Sequence, residues 1–173
     1  MITYPRIFAF LSLFLAASAL ASPLAGTWAI DLARSTELSP WKSYDLTISF
    51  NGDTVTFERR LAWGRREFRD RLVLDLTKPE TVAPVEMWPE NRHLGAYIAD
   101  DHVKRVRASW LDGQRILRLS TDLTLSTQQG DRAVNILSDY KVSANGAQLT
   151  LTELRSTRNR PVVYVFHRVP ATP

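Results

Sequence analysis

Apolar and polar residues alternate with a period of two along most of the chain after residue 25. Leu46 and Ile48, Val55 and Phe57, Leu72 and Leu74, Leu117 and Leu119, and Leu149 and Leu151 are examples. That period belongs to extended backbone, whose side chains point to opposite faces in turn. Asn51-Gly52, Asp112-Gly113 and Asn145-Gly146 separate such runs. These dipeptides suit two-residue hairpins, because type I′ turns need positive φ at both central positions. Gly64-Arg65 is a weaker fourth signal. The pattern predicts strands at 26–32, 43–50, 53–63, 66–76, 93–100, 103–111, 114–126, 132–144, 147–156 and 161–169.

A two-residue hairpin fixes register, so the turns predict partners. Asn51-Gly52 sets Ile48 against Val55, Leu46 against Phe57 and Tyr44 against Arg59. Gly64-Arg65 sets Leu61 against Phe68, Phe57 against Leu72, Val55 against Leu74 and Arg59 against Asp70. Asp112-Gly113 sets Ala108 against Leu117, Val106 against Leu119 and Trp110 against Arg115. Asn145-Gly146 sets Val142 against Leu149, Tyr140 against Leu151 and Ser138 against Glu153. Most pairs are apolar on apolar, which supports an antiparallel meander. Leu154 breaks the alternation and suggests a bulge.

Ten strands with one apolar face each, and no helical pattern to cover that face, require a sheet that closes. The expected fold is all-β, a single antiparallel up-and-down barrel of about 8–10 strands. A β-sandwich is the alternative, but it uses longer crossing connections than most of these. Two connections are long. One spans Ala33 to Lys42. The other spans Thr77 to Arg92 and holds Pro79, Pro84 and Pro89, with Met87 and Trp88 between the last two. Prolines disfavour a central strand there, and Trp88 either caps a barrel mouth or packs against the outside of the barrel.

Residues 1–21 read as a signal peptide. Arg6 precedes an apolar run from Ile7 to Leu15, and Ala19-Leu20-Ala21 is a small-x-small cleavage site. Export would then place residues 22–173, one barrel domain, in a periplasmic or extracellular compartment. The apolar run is too short to span a bilayer comfortably. Cysteine is absent, so the core must hold without disulfides, and thiolate-bound zinc is excluded. Basic residues number 22 against 18 acidic. That excess is too small for a dedicated nucleic-acid surface, and no membrane span is expected. Arg60, Arg65, Arg66, Arg69 and Arg71 group around one hairpin, and Lys104, Arg105 and Arg107 form a second group. They read as a charged exterior that discourages sheet aggregation, with anionic headgroups or polysaccharide as alternative partners.

The chain resembles bacterial lipocalin-like proteins of the calycin superfamily. The resemblance rests on Gly26-Thr27-Trp28 followed by Asp31 and Ser35, on Asp139 to Gly146 leading into Leu149-Thr150-Leu151-Thr152, and on Val162 to Val169. It covers both ends of the mature chain. It implies that Gly26, Trp28 and Arg168 form the closed end of the barrel, with Arg168 packed across the indole of Trp28. That role is structural.

Ligand chemistry belongs to polar side chains in the apolar phase. Tyr44, Arg59 and Asp70 are expected side by side on three strands, facing inward. A buried arginine needs a carboxylate beside it. The cluster reads either as an anchor for a ligand head group or as a self-satisfied ion pair. Ser138 with Glu153 is a second inward polar pair. Trp88, Trp110, Tyr140 and Glu153 complete the candidate ligand-binding set, within a lumen of Leu46, Ile48, Phe57, Leu72, Leu74, Val106, Leu117, Leu119 and Leu151.

No catalytic arrangement stands out, and no metal or cofactor is expected. His93 and His102 are isolated, Asp100-Asp101-His102 falls in an expected turn, and His167 alternates outward. No serine sits in a nucleophile elbow, and no glycine-rich phosphate loop is present. The expectation is therefore an exported barrel that binds or carries a small apolar ligand, including one with an acidic head group. The alternatives are a solid-cored envelope or interaction module, and an enzyme with an unrecognised site.

Overall fold

A computed structural model describes residues 22–85, 88 and 96–170. The signal segment, His93, Met87 and Pro89 lie outside these residues. The strands are β1 (Gly26–Ile30), β2 (Ser43–Asn51), β3 (Thr54–Trp63), β4 (Arg66–Asp75), β5 (Thr81–Pro84), β6 (Tyr97–Ile98), β7 (Val103–Leu111), β8 (Ile116–Thr127), β9 (Gly130–Val142), β10 (Gln148–Arg155) and β11 (Val162–Arg168). The described helical structure is one 3₁₀ turn, Leu32–Arg34, whose start is capped by the Asp31 carboxylate accepting from Ala33 N and Arg34 N. Among the described residues no helix is long and apolar enough to cross a membrane.

All strands join one antiparallel sheet in the order β4-β3-β2-β1-β11-β10-β9-β8-β7-β5. Pairing of the first strand with the last, Trp28 opposite Arg168, closes one side. β4 and β5 stand at the two ends of the hydrogen-bonded path. The result is a nearly closed barrel, and a single sheet replaces the two layers of the sandwich alternative.

The apolar phase predicted from the sequence is the barrel interior. Trp28, Leu46, Ile48, Val55, Phe57, Leu74, Val106, Leu117, Leu149, Leu151 and Phe166 are fully buried. Each fully buried large side chain contributes roughly 1.5–3 kcal/mol, so a core of this size sustains a chain without disulfides.

Two turns give the expected register. Leu61 faces Phe68 and Arg59 faces Asp70 across Gly64-Arg65. Val142 faces Leu149, Tyr140 faces Leu151 and Ser138 faces Glu153 across Asn145-Gly146. Two turns shift it by two residues. Asn51 pairs with Thr54, so Gly52-Asp53 form the turn, Ile48 faces Phe57, and Tyr44 faces Leu61 rather than Arg59. The loop after Leu111 holds four residues, so Ala108 faces Leu119 and Trp110 faces Leu117 rather than Arg115. Positive φ at Asp112, Gly113 and Gln114 lengthens that turn.

Other expectations are corrected. The long connection after Thr77 contains β5, which pairs with β7. Pro84 is tolerated because β5 is an edge strand and one edge needs no donor. The strand expected at 93–100 is, among the described residues, only Tyr97–Ile98; it pairs with β8 beyond the end of β7. Leu154 is half exposed in an unbroken ladder, so no bulge forms. Lys104 lies inside the barrel, only 5% exposed.

Candidate functional site

One end of the barrel is plugged. Trp28 Nε1 donates to Leu24 O at 3.0 Å, and Leu24 is itself buried. The Arg168 guanidinium lies 4.0 Å from the centroid of the Trp28 ring. It also donates to Gly146 O at 2.8 Å, Ala25 O at 2.7 Å and Pro23 O at 2.7 Å. Gly26 adopts φ +139°, and a Cβ there would fall on Arg168 Nη1. The Gly-x-Trp opening thus has a physical reason: only glycine permits both the backbone angle and the close approach.

Polar side chains gather on the interior nearer the other end. Alternation along β3 turns Arg59 inward with Val55 and Phe57, and the β3–β4 register sets it against Asp70. Arg59 Nε donates to Asp70 Oδ2 at 2.9 Å, and Arg59 Nη2 reaches the same oxygen. Lys104, in phase with Val106 on β7, brings its Nζ 3.3 Å from Asp70 Oδ1 and 3.5 Å from Oδ2. Two cations therefore share one carboxylate. On the facing wall Ser138 and Glu153 are both buried. Arg155 Nε donates to Glu153 Oε2 at 3.0 Å, and its guanidinium lies 5.5 Å from the Trp88 ring centroid.

The electrostatics follow from this crowding. Burial would raise Asp70, but the Arg59 and Lys104 charges and their hydrogen bonds hold its carboxyl below the usual value. Burial, then the nearby Arg59 charge, lowers Lys104; Asp70 opposes this only in part. Burial pushes the Tyr44 hydroxyl up to about 12 despite Arg59, to which it is hydrogen-bonded. Burial and the neighbouring Tyr44 raise Tyr140 well above its ordinary value. Both phenols are therefore neutral hydroxyls at neutral pH.

A cavity of about 80 Å³ opens among these groups, with Arg59, Lys104, Ser138, Tyr140, Glu153 and Arg155 on its polar side. Its apolar side includes Phe57, Leu72, Leu119 and Ile136, with Trp88 at the rim of the set. Among the described residues the Trp88 indole N–H is buried without a hydrogen-bond partner. The volume of the void is well above the roughly 10–15 Å³ a cavity needs to admit a water.

The chain is similar in structure to two secretory abundant heat soluble (SAHS) proteins of Ramazzottius varieornatus. One aligns with a TM-score of 0.50 at 12% identity, over 86% of this chain and 96% of that one. SAHS protein 4 aligns with a TM-score of 0.52 at 9% identity, over the same shares. What is shared is the fold. It is a nearly closed antiparallel β-barrel. Neither a protein-family model nor a curated sequence matches this chain.

Of the residues singled out from sequence, Arg59, Trp88, Tyr140 and Glu153 line the cavity. Asp70 bridges two of the lining cations, and Tyr44 stands behind Arg59, edge-on to Phe166 at 5.0 Å. Trp110 is outside the lining; it stacks on Phe50 at 6.2 Å. Lys104 and Arg155 were missed. Lys104 shares the phase of Val106 and Ala108, a signal masked by its neighbours Arg105 and Arg107. Those two arginines do face out, where they pair with Glu80 and Asp122. The basic hairpin is likewise paired, Arg60 with Asp45 and Glu67, and Arg71 with Glu58. Asp100 and His102 lie in an exposed turn, and His167 is exposed. Among the described residues no group of His, Asp or Glu has metal-holding geometry.

Proposed function

We propose that this protein is an exported, lipocalin-like binding protein for a small amphipathic acid, acting as a carrier and not as an enzyme. The observation that carries the reading is Asp70 shared by Arg59 and Lys104 at an otherwise largely apolar cavity. One carboxylate cannot neutralise two cations, so the cluster holds a net positive charge while Lys104 is protonated. An anionic head group completes the charge balance, and its hydrogen bonds with buried cations are strong because they are charge-assisted.

The void sets the scale of the ligand. A space of about 80 Å³ takes a carboxylate with a short apolar tail. A long acyl chain would have to extend beyond it. Phe57, Leu72, Leu119 and Ile136 receive the tail, and the unpartnered Trp88 N–H is available to a ligand oxygen. Export rests on the segment 1–21, whose removal near Ala21 would leave Leu24 free to dock beneath Trp28.

Native mass spectrometry of protein purified from its exporting host tests the reading. A reproducible bound acid of low mass is expected. A bare mass, together with unchanged tryptophan fluorescence across a panel of short-chain and branched acids, would overturn it. The plugged end, filled by Trp28, Phe166 and Leu149, favours the solid-cored alternative for that half of the barrel only.

A further inference from the structure

We infer that Lys104 is a carbonyl-capturing residue: in its neutral form its amine condenses with a small aldehyde in the cavity to form a reversible imine. The inference deepens the binding reading, since it uses the same cavity, but it concerns a different ligand class and a covalent step.

The argument begins with position. Lys104 is one of four lysines in the chain, with Lys42, Lys78 and Lys141. The other three are exposed, whereas Lys104 is 5% exposed and lines the cavity. Its side chain thus forms part of the wall of the void, with Nζ held at the Asp70 carboxylate. An ammonium in such a place needs full compensation, and it does not receive it. Asp70 is engaged by Arg59 through two nitrogens on one oxygen, while Lys104 holds the carboxylate only at 3.3 and 3.5 Å. Arginine does not release its proton in proteins. The charge conflict can therefore be relieved only at lysine. Of the two cations, lysine is the one able to give up a proton, in the direction that burial and the Arg59 charge push it.

The remaining surroundings suit the reaction. Glu153 and Arg155 form a pair of their own on the facing wall. The hydroxyls of Ser138 and of the neutral Tyr140 line the same space and can hydrogen-bond a carbonyl oxygen. The free amine of Lys104 adds to the carbonyl carbon as the C=O π bond opens, and one proton passes from the nitrogen to the oxygen to give a carbinolamine. Loss of one water then gives the C=N bond. In sum, R–CHO and the lysine amine yield the imine and water, with no redox change. If the imine nitrogen is protonated, Asp70 is the counter-ion, in the place it now holds beside the ammonium.

Acid and aldehyde should exclude each other. A bound carboxylate stabilises the ammonium and so removes the nucleophile, besides filling the same void.

The test is reductive trapping on the full-length secreted protein. It is incubated with propanal and sodium cyanoborohydride at neutral pH, and the alkylated lysine is located by peptide mapping. Mapping also separates lysine adducts from labelling of the terminal amine. Lys104 is expected to label about tenfold faster than Lys42, Lys78 or Lys141, as an amine relieved of its proton should. The Lys104→Arg variant should lose this fast phase while the slow labelling of the other lysines continues. Propanoate should slow Lys104 selectively in the wild-type protein, a readout that needs no variant to fold. Labelling of Lys104 no faster than that of the three exposed lysines would overturn the inference. That result would leave acid binding untouched, because acid binding is read separately from fluorescence and native mass.

Discussion

Lys104 on β7 and Asp70 on β4 are joined by an ion pair, Nζ to Oδ1 3.3 Å, across the seam where, among the described residues, no ladder joins β4 to β5 or β7. β5 lies between the two strands in the chain order but pairs only with β7. The ion pair therefore stands in for a strand pairing. Replacing Asp70 with Asn leaves Arg59 and Lys104 buried together without a counter-charge. Breaking a buried pair in this way costs about 3–5 kcal/mol, and the lower figure suits a cluster with some solvent access. Urea unfolding of Asp70→Asn should show a loss of about 3 kcal/mol, with amide exchange in β4 and β5 rising first. An unchanged midpoint would mean that the seam is held by other contacts.

The same carboxylate makes stability depend on pH, with a definite sign. The folded-state value of Asp70 is lowered, so the unfolded chain takes up its proton first as pH falls. The stabilisation is complete above the ordinary carboxylate value of 3.8 and is lost as pH falls through the lowered folded value. Carboxylates elsewhere on the barrel such as Glu67 and Asp75 are lowered too, so acid unfolding of the wild type alone does not isolate Asp70. The difference between wild type and Asp70→Asn does: it should shrink on acidification below about pH 4. A difference constant from pH 7 to 2 would sink the assignment.

At the plugged end the expected outcome is structural and separate from binding. Arg168→Ala removes three hydrogen bonds to carbonyls and the cation over the Trp28 ring. Hydrogen bonds to charged groups contribute roughly 1.5–3 kcal/mol each, and water would replace part of what is lost, so a destabilisation of about 3 kcal/mol is expected. Gly26→Ala should be similarly damaging, because it strains φ +139° and displaces Arg168. Both variants should show altered Trp28 fluorescence. If either proved as stable as the wild type, the plug would not be a stabilising element.

Much of this arrangement is legible in the sequence because period-two alternation survives errors in register. The turns at Asn51-Gly52 and at Asp112-Gly113 each slipped by two residues, yet a shift of two keeps every side chain on its face. Phe57, Ile48 and Leu119 are therefore interior as expected, while their partners differ. Arg59 opposite Asp70 was readable because Gly64-Arg65 forms a true two-residue turn. The third member was not. Lys104 meets Asp70 across strands that share no ladder, so neither a turn nor a register connects them. β5 was hidden for a related reason: Pro84 within it and Pro79 before it argue against a strand with two partners, and it has one.

Arg59 decides whether the cluster attracts an acid. With Arg59 present, two cations share Asp70; with Arg59→Leu, Lys104 and Asp70 form a neutral pair and the attraction ends. The leucine also adds apolar surface to a wall already formed by Phe57 and Leu72. A short carboxylic acid should therefore bind about 10- to 100-fold more weakly, as expected for loss of a charged hydrogen bond of roughly 1.5–3 kcal/mol. The corresponding neutral amide or alcohol should bind unchanged or slightly more tightly. Titration by intrinsic tryptophan fluorescence measures both, since Trp88 borders the cavity. Acid binding in the wild type should also fade at alkaline pH, earlier than an ordinary lysine would dictate, because Lys104 is lowered and its charge is needed. In Arg59→Leu that alkaline fade should begin at higher pH, since the guanidinium that helps lower Lys104 is gone. Equal losses for acid and alcohol would assign Arg59 to folding rather than to ligand choice.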